Sequence, residues 1–417
     1  MLLNSKRGDA DLHDSLPRPE RSGIEHVVVV MMENRSFDHL LGWLPGANGR
    51  QAGLHFPGPD GAMHPTFAAA PTIGFQGCNN LDPDHTWEGG RIQLNNGKMD
   101  GWLKAHSDLF AISYYERKDR PFFNELAVHF TALDHYFCSI LAETFPNRFF
   151  MHAAQTPILH NGEIVQATTI PTIWDRLADA GVSGKYYFSD SPFLALWGTK
   201  YLPIAHPYAE FLVDAAAGQL PAVAFLDPRF QNEGLGTSGD DHPHADIRAG
   251  DAFLSEAFHA VASGPNWANT VFIITYDEWG GFFDHVAPPR SVAANDVDPP
   301  DDDGNVFLGM RVPVIVASPW TRAGVCPRVD SHLFDHTSIL KLIEWRWRLP
   351  HLTLRDAPDS NITNLVHALD FRHPSAAVPT LPRPLPPILE ACPPMVRPAD
   401  DQWEQLRRSP LMSGWRL

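Results

Sequence analysis

The chain is poor in cysteine, has an excess of negative charge, and lacks any long apolar run. Its four cysteines, Cys78, Cys138, Cys326 and Cys392, lie far apart in 417 residues and form no C-x-x-C pair. That spacing argues against a zinc finger and predicts no disulfide framework. No stretch approaches the ~18 consecutive apolar residues of a membrane span. The longest apolar runs, residues 27–32 and 312–317, have the length of buried strands. Lys and Arg number 32 against 49 Asp and Glu, a net charge of −17. This argues against nucleic acid as a partner, because counterion release needs clustered basic side chains. A small anion is still compatible, since a metal or a helix end overrides the global field locally. The first 21 residues carry Asp9, Asp11, Asp14 and Glu20 and no apolar core segment. They do not read as a secretory signal, and a cytoplasmic location is the literal expectation.

What is present is a globular composition. Hydrophobic residues make up 44% of the chain, enough for a large core and too many for a wholly disordered chain. Strand-like and helix-like segments alternate, the pattern of a mostly parallel sheet covered on both faces. The run IEHVVVVMM over residues 24–32 reads as a strand buried on both sides. Further strands are expected over 185–188, 222–226, 269–276 and 311–318, and helices over 37–44, 149–154, 172–180, 247–262 and 337–347. Residues 46–81 and 287–307 are long, Pro-, Gly- and Asp-rich loops, of the kind that are functional or disordered. Nine prolines fall between Pro374 and Pro398, followed by a short helical pattern over 400–408. Three parts are predicted: a polar extension over 1–23, an α/β/α body over 24–372, and a Pro-rich tail over 373–417 packing on that body as a strap.

Three clusters have residue types suited to chemistry. The first is Glu33-Asn34-Arg35-Ser36, directly after the first buried strand. Ligands of open parallel sheets bind beyond the carboxyl ends of strands, and a carboxylate beside an amide oxygen supplies hard donors for a divalent cation. The plain alternative is a helix entry capped by Asn34 or Ser36. The second is Asp277-Glu278-Trp279-Gly280-Gly281, after another apolar strand. Two adjacent carboxylates at a buried strand end repel unless a cation or proton intervenes, and the glycine pair allows a ligand to approach the backbone closely. The third is Thr144-Phe145-Pro146-Asn147-Arg148. It places a hydroxyl at a helix N-terminus, where backbone N–H groups favour an anion, and a guanidinium fork suited to a tetrahedral oxyanion. Here the plain alternative is an N-cap threonine with proline in the first turn. Of 21 histidines, His85, His242, His244 and His285 stand out because carboxylates surround them in sequence. Such a histidine can protonate a leaving oxygen or bind metal.

In order along the chain, MMENRSFDHLLGW, ETFPNRFFMHAA, DDHPHADIRAGDAFL, VFIITYDEWGGFFDHVAPP and RVPVIVASPWTRAG resemble the phosphoesterase family. That family contains bacterial phosphatidylcholine-type and plant non-specific phospholipases C and an acid phosphatase branch. The resemblance runs from about Ile24 to about Arg348 and implies an alkaline phosphatase-like three-layer α/β/α sandwich. It implies Glu33, Asn34, Asp277 and Glu278 as ligands of one divalent ion (Ca, Mg, Mn or Zn), with Thr144 as a nucleophile that also touches the metal. By the same resemblance His85, His242, Asp284 and His285 line the pocket. In the mechanism expected from these residues His242 or His285 protonates the departing alcohol, and Arg148 and His85 stabilise phosphoryl oxygens. His244 matches no fixed histidine of the pattern, although the H-x-H at 242 and 244 leaves a second ion open. Sulfatases carry C/S-x-P-x-R at the comparable place. Threonine cannot yield their formylglycine, so phosphoryl transfer is expected rather than sulfate-ester hydrolysis. The expected substrate is a phospholipid, reached by transient contact with a membrane surface, and the alternative is a small phosphomonoester. The family is often exported, against the literal cytoplasmic reading.

Overall fold

The computed structural model describes residues 16–163, 166–322, 327–393 and 402–415. At its centre are eight strands: β1 (His26–Met32), β2 (Thr131–Leu133), β3 (Gly184–Phe188), β4 (Ala205–Pro207), β5 (Val223–Asp227), β6 (Thr270–Tyr276), β7 (Val314–Ala317) and β8 (Arg328–Asp330). Their spatial order is β8-β2-β7-β6-β1-β5-β3-β4. Every pairing is parallel except those of β7, which runs antiparallel to both β6 and β2. β1 and β6 lie side by side in register from His26 opposite Thr270 to Met32 opposite Tyr276, and all their residues are buried. The valine run needs no polar alternation because neither face of a central parallel strand meets water.

Around the sheet lie α1 (Phe37–Leu41), α2 (Pro121–His129), α3 (Thr144–Ala153), α4 (Ile173–Asp179), α5 (Tyr208–Ala217), α6 (Ile247–Ala262) and α7 (His336–Trp347). α2 and α5 both pack on α6, and α4 and α7 both pack on α3, so the helices form the two outer layers of a sandwich. Two expected boundaries move for local reasons. The strand expected from residue 311 starts at Val314, after Pro313, which has no N–H for the ladder. The helix expected from 149 starts at Thr144, because Pro146 fits a first turn whose N–H groups need no helical partner.

The Pro-rich tail makes no strand among the described residues and lies along the body. Ser375 N donates to Pro319 O at 2.7 Å, Trp267 Nε1 to Ala376 O at 2.9 Å, and Cys392 N to Leu235 O at 2.9 Å. It ends in α8 (Gln402–Arg408), and Trp415 Nε1 reaches Gly198 O at 3.0 Å. Residues 1–15 of the polar extension and the start of the helical pattern at 400–401 lie outside the described residues, as does Cys326. Among the described residues, no helix is long and apolar enough to cross a membrane.

One expectation is overturned. Cys78 and Cys392 form a disulfide across a sequence separation of 314, while Cys138 is a buried free thiol. Spacing along the chain could not reveal this, because the tail's return path is set by packing. A bridge closing so long a loop stabilises chiefly by restricting the unfolded chain. Cys392→Ser is expected to lower the unfolding free energy by about 2–4 kcal/mol, read from guanidinium denaturation without reductant. An unchanged midpoint would show that the bridge restrains nothing.

Candidate active site

The register of β1 against β6 decides where the carboxylates meet. Beyond the last paired residues, Met32 and Tyr276, the two strands deliver Glu33-Asn34 and Asp277-Glu278 to the same edge. Asp277 N donates to Met32 O at 3.1 Å and Arg35 N to Glu278 O at 3.0 Å, so the backbones stay joined for two further residues. Asn34 N donates to Asp277 Oδ1 at 3.1 Å. The glycine pair makes this crossing possible. Both glycines have positive φ, and a Cβ on Gly280 would stand 2.1 Å from Asn34 O, one on Gly281 2.6 Å from the Pro83 carbonyl carbon. Their smallness therefore serves a backbone-to-backbone approach, where the sequence reading had assigned it to a ligand. Ser36 caps α1 by accepting from His39 N, leaving Asn34 free for other work.

α3 brings the hydroxyl. Its N-cap is Glu143, whose carboxylate accepts from Asn161 N at 2.6 Å and from His160 Nδ1 at 3.1 Å. Asn147 Nδ2 donates to Ala142 O at 2.8 Å and its Oδ1 accepts from Ile140 N, tying the approach to the helix. Thr144 is thus relieved of capping, and its Oγ1 donates to Asn34 Oδ1 at 3.4 Å. Glu33, Asn34, Thr144, Asp277 and Glu278 are all fully buried.

Arg148 is brought to the site but not in the expected role. Its Nε donates to Asp277 Oδ2 at 3.2 Å and its Nη1 to Asp227 Oδ1 at 2.9 Å. Nη2 lies 3.2 Å from Glu33 Oε1 and also donates to Met31 O and Met32 O. Every face of the fork is spent on the protein's own oxygens, so Arg148 holds the strand ends and does not face a phosphoryl group. Burial pushes the Glu33, Asp277 and Glu278 carboxyls up, toward the neutral form. Arg148 opposes this at Glu33 and Asp277, and His85 opposes it at Glu278.

A cleft of about 490 Å³ opens beside these residues, with Asp82, His85, Glu143, His160, Gln402 and Gln405 in its wall. His85 Nδ1 bonds Pro83 O at 2.8 Å, and Nε2 points at Asn34 Nδ2, 3.4 Å away. Burial disfavours charge on His85, but the Glu278 and Asp82 carboxylates outweigh it and hold its pKa up at about 10. His242 is buried behind the wall, its Nε2 3.4 Å from Asp82 Oδ2. His244 Nε2 bonds Asn80 O at 3.1 Å. Neither His242 nor His244 joins a carboxylate trio, among the described residues, that is tight enough to share an ion.

Asp284 and His285 are elsewhere. His285 Nδ1 bonds Asp38 Oδ2 at 2.5 Å, and Asp284 Oδ1 accepts from Arg311 Nε at 2.9 Å. Arg311 Nη2 also reaches Asp38 Oδ1, so the four residues form one hydrogen-bonded cluster, which Asn48 joins from outside. Among the described residues, no hydrogen bond or ion pair links Asp284 or His285 to Thr144. The expectation that they line the pocket is corrected: a short distance from Glu278 in sequence is undone by the turn through the glycine pair.

The donors present suit a hard divalent cation. Glu278 Oε1 and Glu33 Oε2 are buried without a hydrogen-bond partner, and Asn34 Oδ1 faces the Thr144 hydroxyl. Glu33 also lies with Glu233 and Asp240 in a buried trio whose ligand atoms are within 4.8 Å of one another. Sequence reading missed Glu233, Asp240 and Asp227, as well as Trp403, whose Nε1 donates to Glu33 Oε1 at 2.9 Å. Two of them carried a signal: Asp227 is an acid at the end of a buried strand neighbouring β1, and Asp240 opens the DDHPHADIRAGDAFL motif.

Removing Arg148 leaves three buried carboxylates without their shared cation. Arg148→Met in chelator-treated protein is expected to cost about 3–5 kcal/mol of stability, measured by urea denaturation at neutral pH. A loss below about 1 kcal/mol would mean the carboxyls are neutralised some other way.

The model of the phosphoesterase family matches residues 24–350. Non-specific phospholipase C1 of Arabidopsis thaliana is 31% identical over 397 residues, covering 85% of this chain and 73% of that protein. Phospholipase C A of Mycobacterium tuberculosis is 33% identical over 433 residues, covering 87% of this chain and 80% of its own length. A solved protein of the alkaline phosphatase superfamily from Vibrio parahaemolyticus superposes with a TM-score of 0.38 at 8% identity, over 79% of this chain and 68% of that one. With the family model spanning most of its length, and a helix-borne threonine meeting the Asn34 amide beside buried carboxylates at adjacent strand ends, this chain belongs to the phosphoesterase family.

Proposed function

We propose that this phosphoric ester hydrolase is a phospholipase C that cleaves phosphatidylcholine-type phospholipids to diacylglycerol and a phosphorylated headgroup through a phosphothreonine at Thr144. The observation that carries this reading is the Thr144 hydroxyl. It sits at the first position of α3, free of capping duty, on the Asn34 oxygen beside the two strand-end carboxylates. Glu33, Asn34, Asp277, Glu278 and Thr144 would hold one divalent ion, taken to be Ca, Mg, Mn or Zn. When bound, that ion supplies charge for the reacting oxygens and lowers the pKa of the threonine hydroxyl. Thr144 Oγ1 then attacks phosphorus in line, its proton leaving with solvent, and the bond to the diacylglycerol oxygen breaks. His85, in the cleft wall and anchored through Nδ1, is placed to donate a proton to the departing oxygen. His242 acts one step back, bracing Asp82 in the same wall. Water finally cleaves the phosphothreonine, a second displacement by positioning and electrostatics.

A second reading, hydrolysis of small phosphomonoesters, is favoured by the cleft itself: among the described residues, no Leu, Ile, Val, Met, Phe or Trp lines it. For the lipid reading, Leu81 is an exposed apolar residue next in sequence to Asp82 of the cleft wall. The Cys78–Cys392 bridge supports an oxidising compartment, against the cytoplasmic expectation.

Turnover of phosphatidylcholine in mixed micelles, p-nitrophenyl phosphorylcholine and p-nitrophenyl phosphate separates the readings. The two diesters are expected to be the better substrates, and a clear preference for the monoester would overturn the phospholipase assignment. Thr144→Ala is expected to lower kcat on every substrate by about three orders of magnitude with the fold intact by circular dichroism. Near-parental activity of that variant would remove Thr144 as nucleophile.

A further inference from the structure

The C-terminal helix returns to the centre of the molecule, and one of its side chains touches a strand-end carboxylate. Trp403 is fully buried on α8, and its Nε1 donates to Glu33 Oε1 at 2.9 Å. Its ring is stacked on Phe230 with centroids 3.8 Å apart and planes 3° from parallel, and it meets Phe145, the residue after Thr144, edge to face at 5.0 Å. The Arg148 guanidinium lies over both the Phe230 and Trp403 rings, at 4.6 and 5.3 Å. The neighbouring Gln402 Nε2 donates to Glu233 Oε2 at 3.3 Å.

Glu33 thus has two unlike oxygens. Oε1 is gripped by the indole N–H and by Arg148 Nη2, while Oε2 is buried without a hydrogen-bond partner. A tail that served only as packing would need the ring and not a donor aimed at a carboxylate. We propose that Trp403 is a positioning residue for the metal ligand Glu33: its indole N–H fixes the carboxylate's rotation so that the second oxygen faces the ion. The active site is then completed by the last segment of the chain, which the Cys78–Cys392 bridge pins beside Leu235. Hydrogen bonds to the far oxygen of a metal-binding carboxylate set its orientation, and losing one typically weakens metal binding about 10- to 100-fold. The proposal rests on the reading of Glu33 as a ligand, and its test separates the two.

The test compares the full chain, Trp403→Phe, Glu33→Gln and the double variant. Mn²⁺ is titrated calorimetrically into each chelator-stripped protein, and kcat, KM for p-nitrophenyl phosphorylcholine and the melting temperature are also read. Phenylalanine keeps the stack on Phe230 and deletes only the donor. Trp403→Phe is expected to raise the Mn²⁺ dissociation constant about tenfold and to lower kcat with KM unchanged. In the Glu33→Gln background the same change is expected to add less than about twofold, because the two residues act as one unit. Parental Mn²⁺ affinity in Trp403→Phe, or a full independent loss in the double variant, would overturn the positioning role while leaving the phosphoesterase reading intact. Parental affinity in Glu33→Gln would instead overturn Glu33 as a ligand, and the positioning role with it.

Discussion

Arg148 is the constraint on which the rest of the site depends. It sits four residues after Thr144 on α3, one helical turn away and on the same face. Its guanidinium joins Asp227 at the end of β5, Glu33 at the end of β1 and Asp277 at the end of β6, three strands adjacent in the sheet. One buried cation therefore sets the height of the helix against the strand ends, and with it the position of the Thr144 hydroxyl on Asn34. The arrangement also lets three carboxylates remain together in the interior, where each alone would be driven to protonate. A bound divalent ion would draw on the same carboxylates, so binding and folding share one electrostatic balance.

Much of the architecture was legible in the sequence because its signals are local. The valine run of β1, the apolar run of β6 and the amphipathic pattern of α6 each report burial directly, and all three elements lie within two residues of where they were expected. Glu33, Asn34, Asp277 and Glu278 could be singled out because strand-end acids are costly to bury without a purpose. That they meet across one register is a fact of β1 pairing with β6, which no local pattern states. Arg148 was misread for the same reason: a guanidinium near a hydroxyl looks like an anion grip until Asp227, far away in sequence, is seen to occupy it. Asp284 and His285 were misplaced because positive φ at Gly280 and Gly281 turns the chain away, and Arg311 captures Asp284. The tail was opaque for another reason. Proline-rich sequence predicts an extended path but not its destination, so neither the Cys78–Cys392 bridge nor the contact from Trp403 could be foreseen.

The tail gives the fold a closed circuit. The chain begins its sheet with β1, leaves Glu33 at the strand end, and comes back at α8 to touch the same carboxylate. Gln402 and Gln405 of that helix form part of the cleft wall, together with His85 and Asp82. The cleft wall is thereby drawn from segments far apart in sequence, among them residues 82–86, residues 160–162 and the helix that carries Gln402 and Gln405.

The central claim, that the hydroxyl held by Asn34 attacks phosphorus, is tested most directly by acid-quenching turnover in its first milliseconds and mapping the trapped phosphoryl group by peptide mass spectrometry. The account predicts a phosphopeptide spanning residues 144–148 with the group on Thr144. A phosphoryl group on a histidine, or none trapped while product accumulates in a burst, would contradict it.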